Sequence, residues 1–298
     1  MQNADPTRLA AAIVLGAGVL WGLYWLPVRA LETLGLPGAW GTAAIAFSAA
    51  LLLLPFVARA RTAFLRVHTA GVAALALGGA AFALYSVSFL YGRIALVILL
   101  FYLTPVWCVL IGRVVLGWRT PPLRLAAIGV GFAGLVVMLG ADNGVPLPRN
   151  AGEWLSLASG LLWAIASTTL RVKPMPAPVP AAFVFALGAG IGALILLPLL
   201  GPPVQTQPRG DTATILAISL GAGALWWTAV IAGLLWATAR LDPARVGILL
   251  MSEVLVGTLS GVFLAGEYLS PVEMAGGALV VMAGVLELWP QTPRRAEA

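Results

Sequence analysis

Glu253 is the side chain whose position demands most of its surroundings. It lies inside the apolar run Val246 to Gly266, where an ionisable group is costly and by default marks a functional site. Such a carboxylate could carry a proton, hold the ammonium group of a ligand, or pair with Arg113; it could also be a structural group that stays protonated or lies shallow. Other apolar runs carry, near their centres, the aromatic and hydroxyl residues that a mostly apolar pocket with a few polar groups needs. These are Trp21, Tyr24 and Trp25, then Tyr85 and Phe89, then Tyr102, Thr104 and Trp107, and in the second half Trp163, Ser167, Trp226, Trp227 and Ser252. On a helix, residues four apart share a face, so Trp21 pairs with Trp25 and Tyr85 with Phe89. Pro27 and Pro105 each remove a helix hydrogen bond and free a carbonyl, which makes them hinge or gate candidates or sites of a static kink. The expected binding set is Trp21, Tyr24, Tyr85, Phe89, Tyr102, Thr104, Trp163, Trp227, Ser252 and Glu253, with Pro27 and Pro105 as gating residues. Trp40, Trp118, Trp154 and Trp289 stand near the ends of runs and read as interfacial anchors.

Several other chemistries are excluded. Cys108 is the one cysteine and His68 the one histidine, so no metal cluster and no internal disulfide is expected. The run Gly129 to Gly134 fits G-x-G-x-x-G, but it lies within an apolar helix with no strand before it, and close helix packing accounts for it. The same packing reading covers Gly18 with Gly22, Gly188 with Gly192 and Gly257 with Gly261. No Walker A sequence is present, so neither ATP-driven chemistry nor any cofactor is expected. Scattered carboxylates with one His and one Cys do not make a catalytic cluster, and the chain is expected not to be an enzyme.

The elements that must hold these residues are membrane helices. Of 298 residues 61% are hydrophobic and only 9% charged, against about 25% charged in a soluble domain. Spanning helices of roughly 20 apolar residues fit ten times: Leu9 to Leu34, Pro37 to Val57, Thr69 to Gly92, Ile94 to Gly117, Leu123 to Ala141, Trp154 to Leu170, Pro180 to Leu200, Thr212 to Ala239, Val246 to Gly266 and Pro271 to Trp289. The first run is too long for a secretory signal and lacks a cleavage site, so it is expected to be retained. With the N-terminus in the cytoplasm, the loops on that side collect twelve Arg and Lys residues, while the other side receives Arg93, Arg149 and Arg209. That asymmetry puts both termini in the cytoplasm. It also accounts for the net charge of +6 without a nucleic-acid partner.

The ten runs divide into two similar sets of five. Val19-Leu20-Trp21-Gly22 matches Leu161-Leu162-Trp163-Ala164, and the same offset superposes Arg29 on Arg171. Leu103-Thr104-Pro105-Val106 matches Met251-Ser252-Glu253-Val254, and both runs proceed to Gly117 or Gly266 and then to Thr120-Pro121 or Ser270-Pro271. Five is odd, so the second set must lie upside down relative to the first, a build found in many secondary transporters. The expected fold is an all-α membrane protein of ten transmembrane helices in two inverted five-helix repeats, residues 1–146 and 147–298, both termini cytoplasmic.

With these residues in view, the chain resembles the drug/metabolite transporter superfamily, of the EamA type. The carriers are the Leu-Trp-Gly-like start at Leu20-Trp21-Gly22, the Pro or Glu in the middle of the fourth run of each set, and the ending Leu264-Ala265-Gly266-Glu267-Tyr268-Leu269-Ser270-Pro271. Two positions depart from the pattern: Trp118 stands where the first set would carry its acid, and Val254 where Pro would follow Glu253. The Tyr-Leu-x-Pro run at Tyr102 to Pro105 resembles the aromatic amino acid exporters of the YddG type. The resemblance implies a multi-pass protein of the cytoplasmic (inner) membrane that exports amino acids, aromatic ones favoured, and similar amphipathic metabolites by alternating access. With no ATP site, export by facilitated diffusion or by proton exchange is expected, with protons as the candidate coupling ion, and the protein would be a monomer or homodimer. Lipophilic drugs or organic cations are the alternative cargo, with Glu253 as counter-ion.

Overall fold

The computed structural model describes residues 6–59, 69–118, 122–141, 147–174, 176–200, 211–238, 240–241 and 243–288, and among them every regular element is helical. His68, Trp289, the Thr120-Pro121 turn and the stretch 142–146 lie outside these residues. The helices are α1 (Pro6–Gly22), α2 (Trp25–Thr33), α3 (Trp40–Arg59), α4 (Thr69–Tyr91), α5 (Ile94–Phe101), α6 (Thr104–Val114), α7 (Pro122–Leu139), α8 (Ala151–Val172), α9 (Pro178–Leu200), α10 (Thr212–Ala222), α11 (Ile231–Thr238), α12 (Pro243–Leu250), α13 (Ser252–Ala265) and α14 (Pro271–Leu288), with a π-helical stretch, Gly223–Val230, joining α10 to α11.

Among the described residues seven stretches are long and apolar enough to cross a membrane: Pro6–Thr33, Trp40–Arg59, Thr69–Tyr91, Ile94–Val114, Ala151–Val172, Pro178–Leu200 and Thr212–Leu234. Three shorter apolar helices, Leu125–Leu139, Ser252–Ala265 and Pro271–Leu286, complete the order of ten runs expected. The outside of the bundle is apolar as well. Leu51, Ile195, Leu199, Phe263 and Leu264 are exposed by 63% or more, a surface suited to lipid rather than water. These features fit a multi-pass membrane protein.

Three of the ten runs are broken, and each break has a local cause. The first run, expected as one helix, divides at Leu23 and Tyr24. Pro27 has no N–H for the carbonyl of Leu23, and that oxygen takes the N–H of Leu26 at 3.1 Å instead. The fourth run divides at Tyr102 and Leu103. Pro105 leaves the carbonyl of Phe101 without its helical donor, and the Thr104 hydroxyl supplies one at 2.6 Å. The ninth run has no proline yet divides at Met251. There the Ser252 hydroxyl donates to the carbonyl of Leu249 at 2.8 Å and the Tyr102 hydroxyl reaches that of Leu250 at 2.8 Å. Irregular backbone inside a membrane is tolerated where neighbouring groups satisfy it in this way.

Helix pairs pack through small residues, as expected where lipid offers no hydrophobic drive for association. α4 lies between α8 and α9, α3 packs on α9, α7 on α14, and α1 on α13, α12 and α11. A side chain at Gly79 would overlap the carbonyl of Phe185, and one at Gly188 would overlap that of Ala76. Gly18 and Gly22 bring α1 onto the backbone of Glu253 and Gly257, and Gly134 meets Gly276 across α7 and α14. The G-x-G-x-x-G run is thus an interior stretch of α7.

Candidate functional site

The breaks and close contacts surround a cavity of about 390 Å³. α1 supplies Trp21, α4 Leu75 and Phe82, α5 Phe101, the break after it Tyr102, and α6 Thr104 and Pro105. The second half supplies Trp163 and Leu170 from α8, Ala181, Ala182 and Phe185 from α9, Ile231 and Leu234 from α11, and Leu250, Met251 and Glu253 around the break of the ninth run. Leu75, Leu170 and Ala181 come from the start of α4, the end of α8 and the start of α9, so the cavity extends toward the end of the bundle where those termini meet.

Phe82 organises the aromatic wall. Its ring lies 5.1 Å from Trp21, 5.2 Å from Trp163, 5.3 Å from Phe185 and 5.6 Å from Phe101, each an edge-to-face contact. Such faces attract cations as well as apolar groups.

Among the described residues of the lining Glu253 is the one that bears charge, and none of them is Lys, Arg or His. Its carboxylate is held from two sides: the Tyr85 hydroxyl donates to Oε1 at 2.9 Å and the Tyr102 hydroxyl lies 3.1 Å from Oε2. Tyr102 also lies 2.8 Å from the carbonyl of Leu250. A hydroxyl has one proton, so Tyr102 serves only one of these acceptors at a time, and Oε2 keeps capacity for a donor from a ligand. Arg113 is exposed at the end of α6; the partners of Glu253 are the two tyrosines.

Of the residues expected at the site, Trp21, Tyr102, Thr104, Trp163 and Glu253 line the cavity together, and Pro105 lines it beside them. Tyr85 and Phe89 share a face as expected, with ring centres 4.8 Å apart, but both are fully buried and Tyr85 reaches the site only through its hydroxyl on Glu253. Tyr24 and Trp227 form a layer behind Trp21. The Tyr24 hydroxyl accepts from Trp227 Nε1 at 3.0 Å and from Ser86 at 3.3 Å, and Ser86 in turn bonds Thr42 at 2.7 Å. The Ser252 hydroxyl, between the carbonyl of Leu249 at 2.8 Å and that of Leu15 on α1 at 3.1 Å, donates to one of them at a time. Trp25, expected on the face of Trp21, follows the break and donates to Ser260 at 2.9 Å. Pro27 stands in the first turn of α2.

Phe82, Phe101 and Phe185 line the cavity without having been singled out from the sequence. Phe82 lies three residues before Tyr85, one turn nearer the cavity on the same helix, and that spacing was the signal available.

No family model and no curated protein sequence matches the chain. A protein of known crystal structure is similar over 93% of this chain and 95% of its own, with a TM-score of 0.57 and 23% identity. The likeness is one of fold.

Proposed function

We propose that the protein is a secondary transporter of the drug/metabolite superfamily type, exporting amphipathic solutes that carry a positively charged nitrogen on an aromatic or apolar body. The observation that carries the reading is the cavity: it is walled by aromatic residues from both halves of the chain and contains a single carboxylate. Midplane sites at the junction of repeats are the usual place for cargo in such proteins. Aromatic amino acids are the cargo that the Tyr102 to Pro105 resemblance implies, with the ammonium on Glu253 and the side chain against Phe82, Trp163 and Phe185. Organic cations without a carboxylate are the second reading, favoured by the lack of any basic residue among the described residues of the lining.

The two halves are proposed to be inverted repeats with both termini in the cytoplasm of an inner-membrane protein. Paired details support this. The Thr104 hydroxyl on the carbonyl of Phe101 and the Ser252 hydroxyl on that of Leu249 are the same bond at matched positions. Gly160 packs against Thr104 as Gly18 does against Ser252. Gly117 and Gly266 end their helices with φ of 66° and 68°. The N–H of the next residue returns to the carbonyl six residues back, that of Gly112 at 2.9 Å and of Gly261 at 3.0 Å.

Uptake into liposomes containing the purified protein tests the reading, with labelled phenylalanine, tryptophan, threonine and a lipophilic cation, each with and without an imposed pH gradient. Saturable uptake strongest for the aromatic amino acids supports the first cargo; uptake of the cation alone supports the second. Absence of saturable uptake for all four would overturn the cargo class.

A further inference from the structure

We infer that the end of the bundle away from the cavity is a gate locked by the ion pair Arg29–Glu267, which must break for cargo to leave on that side. The inference rests on the transporter reading.

At that end α2 finishes, α4 gives way to α5 at Gly92 and Arg93, and the turn from α13 to α14 passes over them. Arg29 donates from Nε to the carbonyl of Phe89 at 2.9 Å and from Nη2 to that of Gly92 at 3.3 Å, and the same guanidinium lies 3.5 Å from Glu267. Glu267 in turn accepts the N–H groups of Ile94 at 2.7 Å and Ala95 at 3.2 Å. Beside it Arg93 donates to the carbonyl of Tyr268 at 2.9 Å and pairs with Glu273. One carboxylate therefore fastens the end of the first run, the start of the fourth and the turn after the ninth.

Beneath this layer Tyr85 stacks on Phe101 with ring centres 4.4 Å apart, and Phe89 meets Tyr85 edge to face at 4.8 Å. The cavity stops at Phe82 and Phe101, and these rings fill the way beyond.

Three features argue for a lock rather than a permanent staple. The bonds of Glu267 and Arg93 to their partners join the first half of the chain to the second, across the boundary that alternating access has to open. The tie is polar, and the Arg29 side chain is 31% exposed, so on opening both charges regain water instead of leaving apolar surface wet. The matched position at the opposite end holds Trp118 in place of Glu267, and Arg171, matched to Arg29, is exposed there. Among the described residues the lock is thus built at one end only.

The test uses the full-length protein with Cys108→Ser and Thr104→Cys, reconstituted in membranes, and a membrane-impermeant thiol reagent added from either face. Labelling of the parent is expected to be slow from the Arg29 face and fast from the other. Glu267→Gln and Arg29→Gln are each expected to speed labelling from the Arg29 face at least tenfold, and the double variant to match the singles. If both single variants keep the parent's melting temperature and label like it from both faces, the lock does not exist. If a variant melts earlier, Glu267→Asp, which keeps the charge, decides: slow labelling from the Arg29 face supports the lock, and fast labelling overturns it. Labelling needs no cargo, so a protein that transports none of the liposome substrates yet opens in Glu267→Gln would separate the fate of this inference from that of the cargo reading.

Discussion

Glu253 is held by two tyrosines of unequal commitment, and this shapes what the site can do. Tyr85 is fully buried and donates to one oxygen, while Tyr102 divides its proton between the other oxygen and a backbone carbonyl. A ligand ammonium that approaches Oε2 displaces little and lets Tyr102 turn wholly to Leu250. Hydrogen bonds to charged groups contribute about 1.5–3 kcal/mol, and each 1.4 kcal/mol is about tenfold in affinity. Glu253→Gln is therefore expected to weaken binding of a cationic cargo by about 10- to 100-fold, measured by equilibrium binding of labelled ligand, and to make uptake indifferent to an imposed pH gradient. Uptake that keeps its full pH dependence in this variant would remove Glu253 as the proton carrier.

At the scale of the element, glycines decide which helices approach and which face lipid. Gly79 has no room for a side chain against Phe185 and Ala189, whereas Gly129 on α7 has nothing within 4 Å. Gly79→Ala is expected to lower the melting temperature, with a cost of about 1–3 kcal/mol typical of overpacking. Gly129→Ala is expected to leave it unchanged or raise it, since alanine favours a helix by up to about 1 kcal/mol. Thermal melts in detergent check both. The ten apolar runs, their order and the break at Pro105 were legible in the sequence because length, hydropathy and proline act locally. The break at Met251 was not, since its freed carbonyls are satisfied by Ser252 and by Tyr102 from another helix. Nor was the place of Trp227 behind Trp21 instead of in the lining: it lies in the π-helical stretch Gly223–Val230, whose wider turn shifts the phase that a 3.6-residue period assumes. The site followed the same division. Trp163 and Glu253 stood out by type and depth, but Phe82 is an ordinary apolar residue until its neighbours converge on it.

For the whole molecule the question is which end faces which compartment, because the lock and the cavity lie toward opposite ends. α8 is a convenient ruler. Its 22 residues extend about 33 Å at 1.5 Å each, close to the roughly 30 Å hydrocarbon thickness, with Arg149 before its start and Arg171 and Lys173 at its end. Arg149 is held by the carbonyl of Leu139 at 2.6 Å and by its own N–H on Glu153 at 2.9 Å, so it has a structural reason to sit on the side that otherwise gathers few positive charges. Arg171 and Lys173 are exposed, as the proposed placement of that end in the cytoplasm requires. In a Cys108→Ser background, Lys173→Cys is expected to react with an impermeant thiol reagent from the cytoplasmic face only, and Leu147→Cys, exposed by 54%, from the opposite face only. Reaction of both from one face would mean that α8 does not cross the membrane. Reaction on exchanged faces would turn the molecule over, put the Arg29–Glu267 lock on the cytoplasmic side, and overturn the proposed placement of both termini in the cytoplasm.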